Sequence, residues 1–277
     1  MEKFVVKLFL VLLFTFKAKS SDETIVTISN GQVQGEIRTN ELTETEYRAF
    51  HAIPYANPPI GDLRFKPPEP FVDKWNEKYD ASNSSRTPIC PQIAEGNFMN
   101  IDQDQLDEDC LYLSVYAPKN NSFSSQLPVL VWIHGGSFDR GIGMFPFHGP
   151  ERLIEGDDII MVSINYRVGI LGFMSLGIPE IPGNMGLHDQ VMALHWVQDN
   201  IAAFGGDPKS VTIMGESAGS WSAYYHIFSP LSKGLFHRII GQSGTPMSPS
   251  YYEYPGDMAA RYIDIQYRFE DIFGIII

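Results

Sequence analysis

The sequence predicts an α/β fold built on a doubly wound, mostly parallel sheet, and three observations predict it. Two near-continuous apolar runs, Val-Leu-Val-Trp-Ile at 129–133 and Ile-Ile-Met-Val-Ser-Ile at 159–164, suit strands covered on both faces. A segment at 186–204 places Leu187, Val191, Leu194, Val197 and Ile201 at helical spacing and stops before Gly205-Gly206. Beyond it, strand-like and helix-compatible stretches alternate through 211–228 and 238–242, the pattern of a parallel sheet with helices packed on it.

The chain has 277 residues, enough for one large α/β domain or two small ones, and 44% of them are hydrophobic, which is sufficient for a sizeable core. A formal charge of −13 argues against nucleic acid and against anionic membrane surfaces as partners. Residues 1–20 read as a secretory signal. Lys3 and Lys7 precede an apolar run at 8–16, and Ala18-Lys19-Ser20 offers a small-x-small cleavage site. That run is too short to span a bilayer. Residues 21–277 then form the folded part of a secreted chain, with no integral membrane segment after cleavage. An uncleaved N-terminal anchor is the alternative.

In chain order, 25–35 alternates apolar and polar residues around Asn30-Gly31, a hairpin signature. The stretch 47–70 is rich in proline and glycine and reads as a meandering, packed loop region. Two sequons follow, at Asn83 and Asn120, each in a polar, turn-rich stretch that suits a glycan acceptor. The two cysteines, Cys90 and Cys110, flank a loop. In a secreted chain the default is a disulfide, which would restrain the unfolded state by about 3 kcal/mol in the entropic view. Two free thiols are the other reading. Residues 111–116 read as a strand, and the two apolar runs come next as the centre of the sheet. I-I-G-Q after Arg238 is a further strand.

Chemistry concentrates at two glycine-rich turns. Val-Thr-Ile-Met at 211–214 reads as a buried strand, Gly215-Glu216-Ser217-Ala218-Gly219 interrupts it, and a helix-compatible stretch follows. This is the strand–turn–helix setting in which G-x-S-x-G acts as a nucleophile elbow. Residues two before and two after the serine crowd each other in so tight a turn, and glycine at both positions removes the clash. Ser217 then stands at the sheet edge, and the Ala218 N–H at the helix N-terminus points toward a developing oxyanion. The second turn is His134-Gly135-Gly136-Ser137-Phe138, directly after the 129–133 strand. Glycines there let backbone N–H groups approach a ligand closely, and an HGG loop in this place supplies the rest of an oxyanion hole.

Around these turns lie Arg48-Ala49-Phe50, Ile53-Pro54-Tyr55-Ala56, Pro58-Pro59-Ile60-Gly61, Leu63-Arg64-Phe65, Glu108-Asp109-Cys110-Leu111-Tyr112-Leu113, Asn165-Tyr166-Arg167-Val168-Gly169, Gly183-Asn184 through Asp189-Gln190, and Phe204-Gly205-Gly206-Asp207-Pro208. With them the chain resembles the N-terminal half of the type-B carboxylesterase family, which includes carboxylesterases, cholinesterases and insect juvenile-hormone esterases. The resemblance runs from about residue 25 to 245. It implies a C-terminally truncated α/β-hydrolase fold and ester hydrolysis through an acyl-enzyme, with a small-molecule carboxylic ester as substrate and no metal or cofactor. It makes Ser217 the acylated nucleophile, makes Gly136, Ser137 and Ala218 oxyanion donors, and pairs Cys90 with Cys110. Arg64 with Glu108 and Arg167 with Asp189 resemble the family's buried structural ion pairs.

Four departures stand out. Ser137 replaces the family's third glycine, a harmless change if only its N–H is used. His51-Ala52 stands where Lys/Gln-Gly is usual, in a structural turn. The Cys90–Cys110 loop holds no tryptophan, which disfavours a cholinesterase because the cation–π platform is missing. Finally, the fold's triad order is Ser…Asp/Glu…His. The acids after Ser217 begin at Glu253, while the last histidine is His237. That order cannot be met here, and neither His226 nor His237 is expected to reach Ser217. Three readings follow: a secreted carboxylesterase present as a fragment or short isoform, a non-catalytic binding or adhesion relative of the neuroligin kind, or an inactive ligand-binding isoform.

Overall fold

The computed structural model describes residues 21–92, 101, 103–120, 122–143, 149–154, 156 and 158–247. The expected signal at 1–20, His148 and the acids from Glu253 onward lie outside the described residues. Within them the strands are β1 (Ile25–Ile28), β2 (Gly31–Gln34), β3 (Glu36–Thr39), β4 (Glu46–Pro54), β5 (Tyr79–Asp80), β6 (Tyr112–Pro118), β7 (Leu127–Ile133), β8 (Ile160–Ile164), β9 (Gly206–Glu216) and β10 (Arg238–Gln242). The α-helices are α1 (Gly169–Phe173), α2 (Met185–Asn200) and α3 (Ala218–Phe228).

A seven-stranded sheet runs in the order β10-β9-β7-β8-β6-β4-β3, and β1, β2 and β5 form a smaller one. Strands β10, β9, β7 and β8 pair in parallel, whereas β8, β6, β4 and β3 are joined antiparallel. The apolar runs lie at the centre, as expected. All five residues of β8 are buried, which fits a strand covered on both faces. Alternation along β7 divides the core in two. Val129, Val131 and Ile133 pack in one cluster with Leu194 and Val197 of α2 and Ala223 of α3. Trp132 faces a second cluster with Tyr47, Tyr116, Met161 and Ile154. Each large apolar side chain fully buried there contributes about 1.5–3 kcal/mol.

The hairpin at Asn30-Gly31 is present, with Ile28 opposite Gly31. The helix predicted over 186–204 is α2 followed by a 3-10 turn at Ile201–Phe204, closed by Gly205 at φ 92°. The disulfide Cys90–Cys110 is formed. No helix among the described residues is long and apolar enough to cross a membrane.

Two expectations are corrected. The meandering loop at 47–70 begins instead with β4, a nine-residue strand paired with both β3 and β6. Its polar residues hid it: Arg48 and His51 are buried, but each has partners. The Arg48 guanidinium donates to the Pro118 carbonyl at 2.9 Å and lies 4.2 Å over the Phe123 ring. His51 Nε2 meets Glu36 Oε1 at 3.3 Å. Burial, joined by the nearby Arg38 charge, lowers the imidazole pKa to about 4, so the contact joins a neutral ring to an acid. His51-Ala52 therefore sits in a strand, at a bulge between Phe50 and Ile53 where Ala52 takes φ 53°. The second correction concerns Arg64 and Glu108. Their 2.6 Å contact is real, but the side chains are 42% and 29% exposed, so water screens it. Arg167 and Asp189 are buried as expected, at 2% and 0%.

Candidate active site

Strands β7 and β9 run parallel, with Ile133 opposite Gly215. Both glycine-rich turns therefore leave the sheet at the same carboxyl edge, where open α/β sheets hold their ligands. Ser217 follows β9 at φ 53° and ψ −119° and precedes the first residue of α3. A non-glycine residue in that region costs about 1–3 kcal/mol. Two contacts hold it there, and a third ties the start of α3 to the chain beyond β10. Its N–H donates to the Gln242 carbonyl of β10 at 2.8 Å, its carbonyl accepts from Trp221 N at 3.0 Å, and Ser220 Oγ donates to the Gly244 carbonyl at 2.9 Å. Ser217 is half-buried.

The glycines flanking the serine are explained by close approach. A Cβ on Gly215 would lie 2.3 Å from the Gly219 backbone, which is the expected crowding across the turn. A Cβ on Gly219 would meet a different neighbour, the Ile133 carbonyl at 2.0 Å. The second glycine thus lets α3 seat against the end of β7. It also brings the HGG loop to the elbow: a Cβ on Gly135 would lie 2.6 Å from the Glu216 carbonyl and 3.2 Å from Ser217 Cβ.

That loop makes a left-handed bend, with φ 108° at Gly136, 59° at Ser137 and 62° at Phe138. Its interior is closed by Asp139 N and Arg140 N, which both donate to the Gly136 carbonyl. Phe138 anchors it. Its carbonyl accepts from Gly169 N at 2.6 Å, and its ring packs on Phe173 at 4.8 Å and Trp221 at 6.2 Å. Below, the buried His134 ring stacks on Tyr166 at 4.2 Å, and the Tyr166 hydroxyl donates to the His134 carbonyl at 2.8 Å. Burial pushes the Tyr166 phenol far above its usual pKa, so it remains a donor. The Ala218 N–H is in the first turn of α3, where helix N–H groups lack intrahelical partners. Gly135 thus packs directly on Glu216 and Ser217, with Gly136 and Ser137 next to it in the chain and Ala218 next to Ser217.

His226, His237, His188 and His195 lie outside the two turns. His226 is buried, with Nδ1 at 2.8 Å from Ser232 Oγ and Nε2 at 2.8 Å from Gln190 Oε1. Burial lowers its pKa to about 4. His237 Nδ1 accepts from Val211 N at 3.2 Å. His188 is half-buried with a lowered pKa, and His195 is exposed. Asp189 is committed to Arg167, through Nη2–Oδ1 at 2.6 Å and Nε–Oδ2 at 2.8 Å, with Arg167 N also donating to Oδ2. Among the described residues no cluster of three His, Cys, Asp or Glu could hold a metal. Two surface hollows, of about 600 and 490 Å³, are lined by residues such as Phe228 and Phe236, and Phe71 and Trp196. Neither touches Ser217.

Tyr166 and the surrounding braces were not singled out from sequence. Tyr166 stands in the quoted Asn165-Tyr166-Arg167 motif, but nothing local says that its hydroxyl reaches 32 residues back to His134. Asn83 and Asn120 are both exposed, and the Asn83 side chain caps a 3-10 turn by accepting from Ser85 N.

Compared with known families, residues 22–264 match the carboxylesterase family. Among curated proteins, the chain is 40% identical over 264 residues to a carboxylic ester hydrolase of Bombus ignitus, covering 95% of this chain and 46% of that one. It is 43% identical over 251 residues to juvenile hormone esterase of Tribolium castaneum, covering 88% and 41%. With carboxylesterase 1F of Mus musculus it shares 44% over 260 residues, covering 90% and 46%. The chain spans about half the length of the curated relatives it matches.

Proposed function

The chain belongs to the carboxylesterase family, and from that premise we propose that it carries the nucleophile and the oxyanion-binding half of a serine carboxylesterase. Ser217 Oγ attacks the ester carbonyl carbon, and the carbonyl π electrons move to oxygen. The N–H groups of Gly136, Ser137 and Ala218 receive that oxyanion. Collapse expels the alkoxide and leaves acyl-Ser217, which water then hydrolyses. The observation that carries this reading is the strained Ser217 backbone, held at φ 53° directly beside the HGG loop. A binding module of the same fold has no use for that strain, and this favours the enzyme.

The proton of Ser217 and the leaving alkoxide require a base that also serves as acid. No histidine follows an acid that follows Ser217, and His226 and His237 are engaged elsewhere. We place the triad acid and histidine outside these 277 residues, so that the sequence given is a fragment or short isoform of the esterase. The same proposal has residues 1–20 as a signal, the protein outside the cell, and glycans at Asn83 and Asn120. The disulfide and the exposure of both asparagines support it.

The test is phosphonylation by a fluorophosphonate, mapped by peptide mass spectrometry, on this chain and on one extended to the length of its relatives. The extended chain labels at Ser217 and Ser217→Ala does not. No adduct in the extended chain, or an adduct at another residue, overturns the proposal.

A further inference from the structure

We propose that Gln92 is a positioning residue for the oxyanion loop, through which the disulfide loop holds the Gly135–Ser137 backbone in register with Ser217. This rests on the reading of Ser217 as nucleophile. Gln92 lies two residues past Cys90, on a loop remote in sequence from both glycine-rich turns. Its amide grips one residue from both sides: Gly141 N donates to Oε1 at 2.8 Å, and Nε2 donates to the Gly141 carbonyl at 2.9 Å. Nε2 also donates to the Cys90 carbonyl at 3.1 Å. Because Gly141 offers one donor and one acceptor, the two bonds fix which end of the amide is oxygen.

Gly141 bears on the site because it is pressed against the start of the oxyanion loop. At φ 135°, a Cβ there would lie 2.1 Å from His134 Nδ1 and 2.4 Å from the Gly135 carbonyl. The chain leaves β7 at His134, bends through Gly136–Phe138, and returns at Gly141 onto the residue where it began. The bend is therefore a closed lariat. Its inner tie is the Gly136 carbonyl, which accepts from Asp139 and Arg140, and its outer tie is Gln92. A side chain on the elbow cannot set the two ends of this bend, since neither Glu216 nor Ser217 bonds to Gly141. Gln92 does so from the wall tied down by Cys90–Cys110. An oxyanion donor displaced by about 1 Å costs up to about a hundredfold in rate, so a tie at this point acts on acylation rather than on binding.

Gln92→Met keeps the length and volume of the side chain and removes all three bonds. Gln198→Met is the control. Gln198 also spans two carbonyls, those of Pro208 and Leu235, both at 2.9 Å, but touches no part of the loop. Hydrogen exchange on the 277-residue chain reads the Asp139 and Arg140 amides, which donate to the Gly136 carbonyl rather than to Gln92. Gln92→Met speeds their exchange at least tenfold while the β7 and β9 amides stay protected, and Gln198→Met leaves them unchanged. In the extended chain, Gln92→Met lowers the limiting rate of Ser217 phosphonylation about tenfold or more with the half-saturating probe concentration unchanged. Unchanged exchange at Asp139 and Arg140 overturns the proposal. So does exchange that rises equally in β7 and β9, or a limiting rate unaltered while the loop loosens. If the unsubstituted protein never labels, the nucleophile reading fails, and the exchange result alone still decides whether Gln92 holds the loop.

Discussion

β8 and β10 are both five-residue strands of the parallel half of the sheet, and both are rich in isoleucine, yet their surroundings are opposite. Every residue of β8 is buried, between β7 and β6. In β10 four of five are exposed, Ile240 at 44%, and among the described residues the strand pairs only with β9. Apolar character therefore did not decide burial; the number of neighbouring strands did. The exposed strand is also the one whose Gln242 carbonyl holds the Ser217 N–H. The Ser217 backbone thus hangs on the least sheltered strand described, while the buried centre supports it from the other side.

Four perturbations break or sharpen this contrast. The largest effect is expected just past the buried end of β8, where Asp189→Ala on α2 leaves Arg167 buried without its carboxylate. A loss of about 3–5 kcal/mol should appear in urea denaturation, whereas Glu108→Ala at the screened pair should cost under about 1 kcal/mol. Next, Ile164→Ala in β8 should cost about 2–5 kcal/mol, and Ile240→Ala in β10 about 0.5 kcal/mol or less. Equal losses would show that β10 is sheltered in solution. Third, acid should act through the buried histidines on either side of the sheet, His51 and His226, each with a folded pKa of about 4. Their unfolded value is about 6.5, so unfolding takes up protons between these values. Stability is whole above about pH 6.5, falls by about 3 kcal/mol per ring down to about pH 4, and then levels. Denaturation midpoints for His226→Gln across that range should show a shallower fall. The smallest effect is a gain: Ala52→Gly relieves the φ 53° at the β4 bulge and should raise stability by about 1 kcal/mol.

The parallel half and its two turns were legible because each element has a local signature. Apolar runs mark β7 and β8, and glycine spacing marks the elbow. The unread parts depend on distant partners. β4 was hidden because Arg48 and His51 look like solvent-facing residues until Phe123, Pro118 and Glu36 are brought beside them. Arg64 and Arg167 sit in equally suggestive motifs, and only packing separates the screened ion pair from the buried one. Gly219 was assigned to crowding with Gly215, but it makes room for a carbonyl 86 positions earlier in the chain. Gln92 carried no signal, since a glutamine two residues past a cysteine says nothing of Gly141.

The bond from Ser217 N to the Gln242 carbonyl also orders events in time. The acceptor is made 25 residues after the donor, which at 5–20 residues per second is a delay of about one to five seconds. During that interval β7 and β8, and the loop between His134 and Gly141, are already available to pair. The Ser217 backbone cannot be locked until a strand synthesised later docks against β9. A ribosome stalled between the two codons would hold a chain with β7, β8 and the His134–Gly141 loop already made and Ser217 still unclamped.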